Sequence, residues 1–235
     1  VPKGVEPHDW EPTIKDVQKI ESANAVIING VGFENWIENI LEINSKVKII
    51  DTSNGIDLIQ SRDDDSSIDP HFWLNPVTEQ IQVQNIADAL SEIDSQNEYT
   101  YQENSRQYKQ ELSTLDQKIS TDLSDCKKDF LAFHDAFSYF ANQYGLTQHT
   151  VVSTSGPHSE PTPKALENIV KLANEFEITV VFSEEGVDER TSQVLAKEIG
   201  ISVLTLSPIE IADEESYIKK MQNNLENLKV ALCQS

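Results

Sequence analysis

Residues 101–123 read YQENSRQYKQELSTLDQKISTDL. Tyr101, Ser105, Tyr108, Leu112, Leu115, Ile119 and Leu123 recur in steps of four and three, which places them on one face of an α-helix. No Gly or Pro occurs between Val77 and Tyr144, so nothing local breaks the run. The spacing predicts a long helix of about seven turns at 3.6 residues per turn. Its apolar stripe is narrow, so one side packs and the other faces water. The run is short for a coiled coil. It reads as a rigid connector between two α/β halves.

Outward from this helix, short apolar runs alternate with helical periodicity. Ala25–Asn29, Val47–Asp51, Phe130–His134, Thr150–Ser153, Thr179–Phe182 and Val203–Leu206 read as buried strands. Helical stripes follow Thr13, cover Trp36–Leu41, begin at Pro76 and at Pro163, and end at Gly200; a last one runs through Ile218, Met221, Leu225, Leu228 and Leu232. Strands alternating with helices predict parallel sheets built from βαβ units. The expected organisation is an amino-terminal α/β lobe over 1–96, the connector over 97–125 and a carboxy-terminal α/β lobe over 126–235.

The 235 residues carry Lys+Arg 18 against Asp+Glu 40, a formal charge of -22. Such a surface repels phosphates, which argues against nucleic acid or an anionic membrane as partner. It is either simply well solvated or able to concentrate cations. Ser61–Asp69, with Asp63, Asp64 and Asp65 in a row, is the most polar loop. No apolar run is long enough to cross a bilayer. Cys126 and Cys233 are the two cysteines. A pair suits one disulfide in an oxidising compartment or two buried thiols in a reducing one.

Three histidines carry the chemistry. His8 lies between Pro7 and Pro12, and His71 between Pro70 and Pro76. Proline restricts both loops and lowers the entropy lost when a side chain is fixed. His134 ends an expected strand, and open α/β sheets bind ligands beyond the carboxyl ends of their strands. Imidazole is the commonest protein ligand for metals, and three on a rigid frame suit zinc. His149 and His158 lie in no such setting and read as structural or surface residues.

These stretches resemble the metal-binding receptors of ABC-type zinc and manganese importers, the ZnuA/TroA type. Pro7-His8-Asp9-Trp10-Glu11-Pro12 is similar to their first ligand motif, and Asp69-Pro70-His71-Phe72-Trp73-Leu74-Asn75-Pro76 to the second. Phe133-His134-Asp135-Ala136-Phe137-Ser138-Tyr139-Phe140, with Tyr144-Gly145-Leu146 after it, is similar to the third, and Phe182-Ser183-Glu184 to an F-x-E strand end. The resemblance implies two α/β lobes bridged by a long helix, with the metal between them. It also implies a first strand upstream of Val1. It implies an extracytoplasmic, non-catalytic protein, in the periplasm or at the cell surface with or without a lipid anchor. That protein would be a monomer that captures a divalent ion and passes it to an ABC permease. In that compartment Cys126 and Cys233 are expected to pair.

The ligands implied are His8, His71 and His134, with Glu184 as a fourth ligand or as a partner orienting an imidazole. Members of this family commonly carry Asp where Leu206-Ser207-Pro208-Ile209 stands, so a carboxylate at position 207 is missing. Manganese members often have Glu at the third motif. Three imidazoles without that carboxylate favour Zn²⁺ over the harder Mn²⁺. Trp10, Trp73 and Phe137 are expected to wall the site. Two other classes use similar residues. A zinc metallohydrolase or lyase also uses three histidines and an open position, and a metal-sequestering, adhesin-like surface protein would use the same scaffold.

Overall fold

A computed structural model describes residues 5, 7–43, 47–62, 67–151, 163–185, 190–211 and 213–233. The acidic run 63–65 and His158 lie outside them. Among the described residues no helix is long and apolar enough to cross a membrane.

The first lobe opens with α1 (Ile14–Ser22), whose capping box joins Thr13 and Asp16. Strands β1 (Ala25–Ile28) and β2 (Lys48–Asp51) pair in parallel, with α2 (Ile37–Ile43) in the crossover. At the end of β1 the chain turns through Gly30 at φ 91°. A Cβ there would lie 2.1 Å from Asp51 Oδ1, which cannot swing away because it accepts from the Ser53 amide at 2.9 Å and hydroxyl at 2.6 Å. Replacing Gly30 by Ala should therefore cost about 1–3 kcal/mol through strain and a lost turn. Urea denaturation would read this. An unchanged midpoint would show that the turn has room to relax.

The polar-faced helices follow. α3 (Pro76–Ile93) starts on an Asn75 cap. α4 (Glu98–Asp122) is the long helix, with Ser105, Leu112, Leu115 and Ile119 buried. Its 25 residues span about 37 Å. The chain breaks between α3 and α4 without Gly or Pro. There the Asp94 carboxylate accepts from Asn97 Nδ2 at 2.8 Å and from the Tyr101 hydroxyl at 2.9 Å. α4 packs along α3 and also against the last helix, so it touches both halves of the molecule.

The second lobe is a four-stranded parallel sheet in the order β4-β3-β5-β6, formed by β3 (Asp129–Ala132), β4 (Thr147–Thr150), β5 (Val180–Ser183) and β6 (Ser202–Thr205). Helices α5 (Ser138–Tyr144), α6 (Pro163–Glu175), α7 (Arg190–Ile199) and α8 (Tyr217–Leu232) connect and cover it. β4 lies three residues before the position its apolar run implied. Its buried residue is polar: Gln148 accepts from the Phe137 amide at 2.9 Å and donates to the His134 carbonyl at 2.6 Å. The largest core cluster joins Phe130, Phe140, Phe182, Leu206, Met221 and Leu225. It also takes in Leu74, three residues after His71, so the second histidine loop is anchored in the core of the other lobe. Cys126, after α4, and Cys233, which caps α8, are joined at an S–S distance of 2.08 Å.

Candidate metal centre

Each site residue sits where backbone geometry is already fixed. His8 occupies a 3-10 turn, Pro7–Asp9, that leads toward α1. His71 precedes the 3-10 turn Phe72–Leu74. The Asp69 carboxylate accepts from the His71 amide at 2.9 Å and from its Nδ1 at 2.7 Å, so Nε2 points away from Asp69. Asn29, at the end of β1, donates to the Pro70 carbonyl at 3.0 Å and ties this loop to the first sheet. His134 lies just past β3, its carbonyl held by Gln148.

The three histidines come together. Ring centroids are 5.1 Å apart for His8 and His71, 5.4 Å for His8 and His134, and 4.9 Å for His71 and His134. A fourth group joins them. Glu210, in the loop after β6, places Oε1 3.2 Å from His71 Nε2 and 3.5 Å from His8 Nε2, while those two nitrogens are 3.2 Å apart. One donor atom from each of the four residues lies within 4.8 Å of the other three. Zinc bonds of about 2.0–2.1 Å in a tetrahedron separate neighbouring donors by ~3.3 Å. Three of the six edges already have that length.

The carboxylate of the cluster is thus Glu210 and not Glu184. Glu184 is buried outside that group of four, with Oε1 3.5 Å from His134 Nδ1. Ser207 is turned away: its hydroxyl donates to Glu185 Oε2 at 2.6 Å. The walls also differ from expectation. Trp73 does lie against His71, at 5.2 Å. Trp10 packs on Trp36, and Phe137 belongs to the core with Phe130 and Phe140. Phe33 takes the wall position instead, 5.0 Å from His8 and 5.2 Å from Trp73. His149 is held by Asp129 at 2.8 Å and stacks on Phe176.

The buried charges of the cluster shift one another's protonation. Burial would lower the His71 pKa, but the Asp69 and Glu210 carboxylates push it up to about 10. Burial also works against protonation of His134, and Glu184 outweighs it, so that pKa is raised. Burial would raise the Glu210 pKa, but contacts with His71 and His8 hold it well below the usual carboxylate range. Glu210 Oε1, Glu184 Oε1 and His134 Nδ1 are buried without a hydrogen bond of good geometry. A buried carboxylate oxygen without a well-formed hydrogen bond, as Glu210 Oε1 is, is what a cation satisfies.

Glu210 and Asp69 are the site residues that sequence reasoning missed, and Phe33 the missed wall. Glu210 had a signal, since it follows β6 and open parallel sheets bind beyond their carboxyl ends. Asp69, two residues before a candidate imidazole ligand, had one too, because such ligands usually give their other ring nitrogen to a carboxylate.

The family model described as ZnuA, zinc-uptake complex component A periplasmic, matches residues 1–231. The high-affinity zinc uptake system protein ZnuA of Bacillus subtilis is 32% identical over 253 residues, covering 99% of this chain and 79% of its own length. The zinc-binding lipoprotein AdcA of Streptococcus pneumoniae is 30% identical across 96% of this chain, which spans about half of that protein, 49%. Among solved structures, the metal-dependent lipoprotein YcdH from Bacillus subtilis aligns with a TM-score of 0.87 at 33% identity, over 100% of this chain and 90% of that one. Zn(II)-bound AdcA from Streptococcus pneumoniae aligns with a TM-score of 0.87 at 31% identity, over 100% of this chain and 52% of its own. With a family match over nearly its whole length and relatives above 30% identity across almost all of it, the chain belongs to the ZnuA family of zinc-uptake components.

Proposed function

We propose that this protein is an extracytoplasmic receptor that captures Zn²⁺ and hands it to an ABC permease. His8, His71, His134 and Glu210 are the ligands. The observation that carries the reading is the convergence of three imidazoles and one carboxylate, each with a donor atom within 4.8 Å of the others and three of the six separations close to tetrahedral spacing. His8 and His71 come from the first lobe, and His134 and Glu210 from loops of the second sheet. An ion bound by all four bridges the lobes, and separating them breaks the set in two. A zinc hydrolase keeps one position for water or substrate. Here Glu210 fills that position, and Phe33 and Trp73 cover the rim, which favours storage and transfer over catalysis. Three nitrogen donors favour Zn²⁺ over Mn²⁺. The expected result is one zinc per chain, not displaced by equimolar Mn²⁺ in a competition titration. Displacement by manganese, or a second equivalent bound equally tightly, would overturn the assignment.

Proton competition follows from the same ligands. Each imidazole must be neutral to bind, so the metal-free protein holds more protons than the loaded one. His71 with a pKa of about 10 is protonated at neutral pH. Zinc affinity should therefore keep rising above pH 7, by about tenfold per pH unit for each proton displaced, until His71 loses its own proton. His134, whose pKa Glu184 raises, brings a second competing proton, so the ion should leave as the pH falls. Calorimetry in buffers of different ionisation enthalpy counts the protons. An affinity that is flat between pH 7 and 9 would contradict this.

A further inference from the structure

Glu210 is delivered by a segment that would not adopt its shape unaided. Ile209 has φ 58°, a left-handed conformation that a β-branched residue strongly disfavours. Something must hold it, and anchors surround it. Asn224 grips both backbone groups of Ser207, accepting from its amide and donating to its carbonyl at 2.7 Å each. The Ile209 amide donates to Ser207 Oγ at 3.2 Å. Trp73, from the other lobe, donates Nε1 to the Pro208 carbonyl at 2.8 Å.

The last anchor is unusual. Lys220 on α8 is only 3% exposed, and lysine is almost never buried to that degree unless paired. Its ammonium lies 2.8 Å from Asp213 Oδ2 and 3.0 Å from Glu185 Oε2, and donates to the Ile211 carbonyl at 3.1 Å. The Glu185 oxygen it binds is the one that accepts from the Ser207 hydroxyl. Lys220 therefore joins both ends of the segment: Ser207 through Glu185, and Ile211 directly. Nothing else in the zinc site calls for this charge, and its ammonium is committed to carboxylates and a carbonyl outside the ligand set.

We propose that Lys220 is a positioning residue for metal capture, holding Ser207–Ile211 in the strained shape that aims Glu210 at the three histidines. This rests on the reading of Glu210 as a ligand, and it deepens that reading. The serine at position 207 then has a purpose of its own. Its hydroxyl accepts from the Ile209 amide and donates to Glu185, so it braces the turn that presents the carboxylate three residues on.

The test uses Co²⁺ as a spectroscopic stand-in for zinc in the intact protein. Wild type should show the intense visible bands of a four-coordinate site. Glu210→Ala should change them and speed zinc transfer to a chelator. Lys220→Met should reproduce the spectral change, with release about tenfold faster, the scale of groups that orient ligands. Lys220→Arg should restore most of both. Glu210→Ala combined with Lys220→Met should be no worse than Glu210→Ala alone. Asp213→Asn, which touches the network at its exposed end, should shift spectrum and rate in the same direction and serves if Lys220→Met does not fold. If Glu210→Ala leaves the spectrum unchanged, Glu210 is not a ligand and the reading beneath the inference fails. If Glu210→Ala changes it while folded Lys220→Met and Asp213→Asn keep wild-type bands and rates, the inference alone is overturned.

Discussion

His71→Ala should weaken zinc binding by at least about 100-fold, or ~2.7 kcal/mol. Of the three histidines, His71 is the most deeply built in. It is 3% exposed, faces Asp69 on one side and stands 3.2 Å from both His8 Nε2 and Glu210 Oε1 on the other. Removing it takes away one ligand and strands the two carboxylates that shared it. Asp69 cannot substitute, because it stands behind the ring and cannot reach across the gap. Outer partners of metal ligands are typically worth 10–100-fold in affinity. Asp69→Asn, which leaves the imidazole in place but loosens its orientation, should therefore fall in that range and above His71→Ala in affinity. The metal-free His71→Ala protein should also be less stable at neutral pH, since Asp69 and Glu210 lose their charged partner. The sign can be checked against pH. A raised histidine pKa adds stability that is present in full below pH 6.5 and disappears as pH rises toward 10. The stability gap between wild type and variant should narrow on that climb. Zinc affinities of wild type and His71→Ala within threefold of each other would remove His71 from the ligand set.

Much of this was legible in the sequence because strong local constraints coincide with function. The stripe from Tyr101 to Leu123 has one packing solution, and the helix Glu98–Asp122 follows it closely. The proline-bounded histidine loops fix their own backbone, so His8 and His71 could be placed without the rest of the fold. What stayed hidden depends on long-range geometry. Strand β4 buries Gln148 to serve a loop eleven residues away, and no apolar pattern marks such a residue. Glu210 has no such mark: the family motif points to position 207. The strained turn at Ile209 carries the carboxylate three residues further along, and a left-handed isoleucine has no sequence signature. Glu184 and Glu185 are adjacent in sequence but diverge by strand-end geometry. Glu184 faces His134, while Glu185 faces Ser207 and Lys220.

Removing the cross-link between Cys126 and Cys233 should produce the largest loss of stability. The two residues are 107 apart in sequence. Closing so long a loop removes conformational entropy from the unfolded chain worth about 4–5 kcal/mol in the chain-entropy model. That is a large part of the 5–15 kcal/mol that typically separates folded from unfolded protein. The folded side has other ties at the same place. The Lys127 amide donates to the Leu232 carbonyl at 3.0 Å, and Lys229 pairs with Asp122 at 3.0 Å. These hold α8 against the end of α4 with or without the bond between the sulfurs, so the native structure should survive its loss. Cys126→Ser with Cys233→Ser should therefore lower the denaturation midpoint strongly but leave zinc affinity near wild type, because the link lies at the far end of α8 from Lys220 and the Glu210 segment. The same drop should follow when the wild-type protein is denatured in reductant, and zinc should restore part of it by mass action. Equal midpoints with and without reductant would mean that the two thiols are not joined in the protein as it is made. A selective loss of zinc affinity in the double serine variant would mean that the cross-link also shapes the metal site.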